Sequence, residues 1–193
     1  MAEHKTQREK ILAAAADLLH HEGAGALKVR AIADKAGCST MGVYSHFEGK
    51  DGVIEALFQD GFQRFEQALL AAWDGEPERR MARFGDAYRS WALANQGIYL
   101  LMFGGAVPGF VPSDESFAVA AGSFETLIAA VAAEQEAGRI KPGDPTDLGW
   151  ALWAYQHGVV MLQIAGMEPP AAEGHAETAY RTGLNALIEG LSA

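Results

Sequence analysis

The sequence predicts an all-α protein in two parts, an amino-terminal three-helix unit containing a helix-turn-helix and a larger helical domain, about nine helices together. Apolar residues recur at three- and four-residue spacing along most of the chain, which is the period of a helix face and not the alternation of a strand. The segments between them hold helix start and stop residues: Thr6, Gly37, Ser39, and Asp144 with Pro145. At 193 residues and 49% hydrophobic, the chain can bury the core of a small domain plus a medium one, and is not disordered.

The first helix is opened by the capping box Thr6-x-x-Glu9 and carries Ile11, Ala15, Leu18 and Leu19 on one face. The second places Val29, Ile32, Ala33 and Ala36 inward and stops at Gly37, which can take the left-handed conformation that closes a helix end. Ser39 caps the third helix, whose Val43 and Phe47 face the second. Lys50 and Asp51 open a long fourth helix, with Val53, Ile54, Leu57, Phe58, Phe62, Phe65 and Leu69 inward, ending near Asp74-Gly75. Glu76-Pro77-Glu78 starts the fifth, with proline in the first turn and carboxylates at the positive helix end. A short sixth follows Gln96-Gly97 to Phe103, and the run from Gly104 to Pro112 is a loop. Ser113 or Asp114 opens the seventh helix, which fades at Gly138; Asp144-Pro145-x-Asp147 caps the eighth, to about Ala165. Pro169-Pro170 precede a last helix from about Ala172 to Leu191. The expected domains are residues 1–50 and 51–193, with 51–73 as the connecting helix.

The second and third helices suit the DNA major groove. Outside its buried positions the third presents Thr40, Met41, Gly42, Tyr44, Ser45 and His46, with no carboxylate before Glu48. Tyr44 and Lys50 are expected on phosphates, where contacts set register, and Thr40, Met41, Ser45 and Lys28 or Arg30 on base edges. Gly37, Ser39, Tyr44, His46, Phe47 and Lys50 stand in the pattern of a small turn residue, Ser, Tyr-x-His-Phe and a following Lys. Over about residues 7 to 73 the chain thereby resembles the TetR-type, tetracycline-repressor-like regulators. The resemblance implies a ligand-responsive regulator, a repressor released from a palindromic operator. It departs from the family at Lys28, where a capping Thr or Ser is common, and at Gly42, where a small hydroxyl residue commonly contacts DNA.

Charge is divided along the chain. Residues 1–50 carry seven Lys or Arg against six Asp or Glu, whereas 51–193 carry eight against nineteen. The acidic body must therefore stand away from a duplex, and binding should be salt-sensitive through a modest number of phosphate contacts. Cys38, the one cysteine, excludes an intramolecular disulfide and reads as a packed thiol in the turn. The run from Lys10 to Ala26 superficially resembles a signal peptide, but Asp17 interrupts it, and the expectation is a cytoplasmic protein.

The stretch Leu148 to Met167 has no formal charge, yet Gln156, His157 and Gln163 interrupt it and acidic residues flank it, against a membrane span. A helix apolar on all sides needs cover on all sides. One face, Trp150, Trp153, His157, Met161 and Ile164, is expected inside its own domain; the other, Leu148, Leu152, Tyr155, Val159 and Leu162, against a second copy. Tyr180, Leu184, Leu187 and Leu191 on the last helix would complete a two-plus-two bundle, and such a dimer asks for an inverted-repeat double-stranded DNA site. Trp153-x-x-x-His157-Gly158, with Tyr99 to Gly104 upstream, also resembles a Trp-His-Gly subgroup of TetR-type carboxy-terminal domains. That resemblance implies an interior for a small apolar or aromatic effector, lined by Trp91, Tyr99, Met102, Phe103, Phe124, Trp150, Trp153, His157 and Met161.

Two other classes compete: a helical ligand-binding or scaffold protein without DNA binding, and an all-α enzyme built on His157 with Asp86, Glu115, Glu125 or Glu134. The enzyme reading lacks His-Glu-x-x-His, Glu-x-x-His, Gly-x-Ser-x-Gly and Gly-x-x-x-x-Gly-Lys, and the six histidines are scattered. No metal and no cofactor are expected.

Overall fold

The structure, a computed structural model, describes residues 6–74, 76–167 and 174–193. Among them are nine α-helices: α1 (Gln7–Glu22), α2 (Val29–Ala36), α3 (Thr40–Phe47), α4 (Lys50–Ala71), α5 (Arg80–Ala94), α6 (Gln96–Phe103), α7 (Asp114–Glu136), α8 (Pro145–Ile164) and α9 (Ala176–Leu191). The expected stops at Gly75 and Pro169-Pro170, and the expected start at Ala172, lie outside the described residues. Glu76-Pro77-Glu78 opens a single 3-10 turn, Pro77–Arg79, before α5. Among the described helices only α7 is long and apolar enough by length and composition to cross a membrane. The uncharged run in α8 does not meet that measure.

The chain packs into two compact units that no single cut in the sequence separates: Met1–Gln63 with Asn95–Ala120, and Arg64–Ala94 with Ala121–Ala193. In the first, local signals make the helices as expected. Thr6 and Glu9 exchange backbone and side-chain hydrogen bonds at 2.6 and 3.3 Å and so satisfy two orphan amides of α1. Ile11, Ala15, Leu18, Leu19, Leu27, Ile32, Val43, Val53, Leu57 and Phe62 form the core. Tyr99, Leu101 and Met102 of α6 are buried in the same unit. A Cβ on Gly97 would stand 3.0 Å from the Leu19 carbonyl oxygen, so α6 approaches the end of α1 closely. Ser113 donates to Glu55 from both its amide (2.9 Å) and its hydroxyl (2.5 Å), tying the start of α7 to α4.

In the second unit α5, α8 and α9 pack on one another through Phe84, Tyr88, Leu152, Val160, Tyr180 and Leu184. The Tyr180 hydroxyl is fully buried, 2.7 Å from the Gly85 carbonyl oxygen and 3.0 Å from Gln156 Oε1, and shares its proton between them. Burial pushes this phenol well above the usual tyrosine range. Gly85 has no side chain because Leu184 fills the place: a Cβ would lie 2.3 Å from Leu184 Cδ2. The buried Glu134 carboxylate accepts from Arg139 at 2.6 and 2.7 Å, closing the turn after α7. Tyr180→Phe leaves two buried oxygens without their donor. We expect it to cost about 1 to 3 kcal/mol, seen as a lower urea midpoint at unchanged slope.

Candidate nucleic-acid interface and effector-side helices

α2 and α3 are held at their turn by backbone geometry. Gly37 adopts φ 67°, ψ 38°, and the amides of Gly37 and Cys38 close the last carbonyls of α2, those of Asp34 and Ala33. Ser39 Oγ accepts from the Gly42 amide at 3.1 Å and starts α3. Val43 and Phe47 turn inward against Ile32 and Ala33, as the spacing requires. α1 braces the pair: Asp17 forms an ion pair with Lys35 of α2, and the Arg8 guanidinium lies 4.9 Å over the Phe47 ring of α3. Lys28 is the extended N-cap of α2 but makes no side-chain cap bond, which leaves its ammonium for solvent or phosphate.

The expected interface residues are all displayed. Lys28, Arg30, Ser39, Thr40, Met41, Tyr44, Ser45, His46 and Lys50 are exposed, Gly42 half so. Met41 is 72% and Tyr44 53% exposed, large fractions for apolar and aromatic side chains in a packed unit. Two glycines that the sequence reading passed over set this surface. Gly49 has φ +108°, and a Cβ there would lie 2.9 Å from Tyr44 Cε1, so the phenol ring rests on the bare backbone. At Gly52 a Cβ would fall 1.6 Å from the Phe47 carbonyl oxygen, so the start of α4 presses against the end of α3. Their signal was a glycine on either side of Lys50-Asp51, where a helix start needs none.

The nine residues expected around an effector are drawn from both units. Tyr99, Met102 and Phe103 belong to the first unit, where Tyr99 meets Phe103 at 4.9 Å and Phe103 meets Phe62 at 5.2 Å. In the second, Trp91 packs on Phe65 at 5.1 Å, and Phe124, Trp150, Trp153 and His157 form an aromatic run with centroids 5.1 to 6.1 Å apart. Met161, one turn beyond His157, is half-buried. Trp150 is a correction to the expectation of an interior position: it is 57% exposed, because Gly149 takes the inward place beside Leu127 and Ile128.

Burial lowers the His157 pKa below its ordinary 6.5. The unfolded chain therefore takes up a proton at this site first as the pH falls, so the stability that His157 contributes is level above about pH 6.5 and declines below it until the folded imidazole also protonates. His157→Gln is expected to flatten that decline in thermal melts between pH 7.5 and 5; an unaltered profile would remove His157 as its source.

Three residues of the stripe assigned to a partner copy also need correction. Leu152, Tyr180 and Leu184 are buried within the chain itself, at 1%, 0% and 2% exposure. Tyr155 is half-buried and donates to the Ala179 and Tyr180 carbonyls at 3.1 and 2.9 Å, with its ring over Gly183. Leu148, Val159, Leu187 and Leu191 are half-buried, and Leu162 is 52% exposed. The physical reason is that α5 and α9 both pack on α8 and take up the line Leu152, Gln156, Val160. The face left open on α8 runs through Ala151, Ala154, Gly158, Leu162 and Ala165.

Residues 11–57 match the family described as bacterial regulatory proteins, tetR family, and residues 81–187 that described as tetracyclin repressor-like, C-terminal domain. The second description does not name the Trp-His-Gly signature. An HTH-type transcriptional regulator of Mycobacterium tuberculosis is 29% identical over 132 residues, 66% of this chain and 56% of that protein. The chain thus spans about half the length of the curated relatives it matches. A solved protein of unknown function from Rhodococcus sp. RHA1 has a TM-score of 0.83 at 27% identity, covering 100% of this chain and 98% of that one. The solved regulatory protein SCO4313 has a TM-score of 0.77, also at 27% identity, covering 94% and 95%.

Proposed function

This chain belongs to the tetR family of bacterial regulatory proteins, and on that premise we propose that it regulates transcription as a two-fold dimer, holding an inverted-repeat operator and releasing it to a small apolar or aromatic effector. One observation carries the DNA part: α3 turns Thr40, Met41, Tyr44, Ser45 and His46 to solvent, without a carboxylate, on a backbone locked by α1, α2 and Gly52. Lys28, Arg30 and Lys50 border that face and supply the charge for phosphates. A dimer would seat the open face of α8, from Ala151 to Ala165, against its symmetry mate, where the small side chains let two helices approach closely. The run Phe124, Trp153 and His157 is the proposed effector side, since it offers aromatic surface with one titratable nitrogen pair.

Release requires that the effector bind the DNA-free arrangement more tightly than the DNA-bound one, and that operator weaken effector binding by the same factor. A regulator of this kind acts in the compartment that holds the chromosome, and no catalytic role is proposed for its acids or histidines.

The test is in vitro selection from random duplex DNA with the effector-free protein, beside Tyr44→Phe plus Lys50→Ala as control. An enriched inverted repeat that the control fails to enrich is expected. Lys50→Ala alone should weaken all sequences alike and reduce the salt slope by about one. Failure of the parent protein to enrich any duplex would remove the DNA reading.

A further inference from the structure

α3 reads Thr-Met-Gly-Val-Tyr-Ser-His-Phe, residues 40 to 47. It holds no Arg or Lys for a bidentate guanine contact, no Asn or Gln for adenine, and no carboxylate to accept from cytosine. Val43 and Phe47 are buried and cannot reach a base. The Ser45 hydroxyl donates to the Gly42 carbonyl at 3.0 Å, so its proton is committed within the helix and only its oxygen faces outward as an acceptor.

The amino-terminal turn of a recognition helix is where base edges are met. At that turn stands Met41, 72% exposed and more open than Tyr44. Next to it Gly42 presents no side chain, and packing does not demand glycine there. A Cβ on Gly42 would meet only Cys38 and Ser39 atoms at 3.7 Å, ordinary contact. The outer surface of the turn is thus an exposed flexible thioether beside an open place in the helix wall. An unbranched methionine adapts to a small apolar partner, and the one apolar group that an unmodified base pair offers in the major groove is the thymine C5 methyl.

We propose that Met41 selects the operator by packing on the methyl group of a thymine in each half-site, with Gly42 admitting the base edge and Ser45 accepting from a base amino group one turn along. The inference rests on the DNA-binding reading above and assigns the base chemistry that reading leaves open. Its discriminating partner is deoxyuridine, which keeps every hydrogen-bonding group of thymidine and lacks only the methyl.

The experiment replaces each thymine of the selected operator singly with uracil and measures affinity for the parent protein, Met41→Leu and Met41→Ala. For the parent, uracil at the contacted position of one half-site should lower affinity about fourfold, the order expected for one buried methyl group, and about fifteenfold when both half-sites are changed. Met41→Leu keeps the difference. Met41→Ala, with helicity and melting temperature unchanged because the side chain is exposed, should bind thymine and uracil operators alike while still preferring the inverted repeat. Equal parent affinity for every uracil operator, or a thymine preference that survives in Met41→Ala, overturns the proposal. A selected half-site without thymine does so as well. Failure of the parent protein to enrich any duplex falls instead on the DNA-binding reading.

Discussion

Gly52→Ala is expected to destabilise the amino-terminal unit by about 3 kcal/mol or more and to abolish operator binding. The added methyl would stand 1.6 Å from the Phe47 carbonyl oxygen and 2.7 Å from its carbonyl carbon. Both are backbone atoms, so no rotamer change relieves the overlap. Either α3 and α4 must part, or the last turn of α3 must unwind. Both movements disturb Phe47 and Val53, which are buried at 6% and 0% exposure, and both displace Tyr44 and Lys50 together. Far-UV circular dichroism during heating, with a titration of selected operator, measures the effect. Gly122→Ala is the control, because that α7 glycine has nothing within 4 Å of the added Cβ. It should be neutral or stabilise by up to about 1 kcal/mol. A Gly52→Ala protein that melts with the parent would show that the two helices do not meet as described.

The second large effect separates folding from assembly. Leu152→Glu puts a carboxylate at a site 1% exposed, between α5 and α9. A loss of about 3 to 5 kcal/mol is expected, comparable to an unpaired buried charge, with the second unit failing to fold. Leu162→Glu alters a side chain 52% exposed on the open face of α8. That protein should keep its helicity and melt normally but sediment as a monomer, with affinity for the inverted repeat reduced about a hundredfold, since the two half-sites no longer share one binder. A dimer that persists in Leu162→Glu would place the interface on another surface. A Leu152→Glu chain that folded and stayed monomeric would contradict the packing of α8.

What could be read from the sequence was what local chemistry decides. Thr6 with Glu9, Gly37, Ser39 and Asp144 act within three residues of themselves, and their caps stand where the letters placed them. The display of Lys28, Arg30 and the outer residues of α3 follows equally from helical spacing on Ile32, Val43 and Phe47. What was hidden depends on distant chain. Gly85 is explained by a leucine about a hundred residues later and carries no local mark of that. The phase of α8 was misjudged because a helix apolar on every side has no periodicity to orient it. Only the packing of α5 and α9 distinguishes Leu152 from Ala151. Tyr180 reads from its stripe as a bundle contact with a second copy, and only the fold brings its hydroxyl to Gly85 and Gln156 inside its own chain. The union of residues 95–120 with the amino-terminal unit had no compositional signal at all.

The phenol of Tyr44 lying across Gly49 has a thermodynamic consequence for recognition. A tyrosine on an open surface samples several rotamers and must surrender that freedom when it grips a partner, a penalty of about 0.5 to 1.5 kcal/mol per side chain. Here the ring is already confined by the backbone beneath it, so the entropy is lost once, during folding, and under the proposed DNA role the hydroxyl would meet a phosphate with its orientation decided in advance.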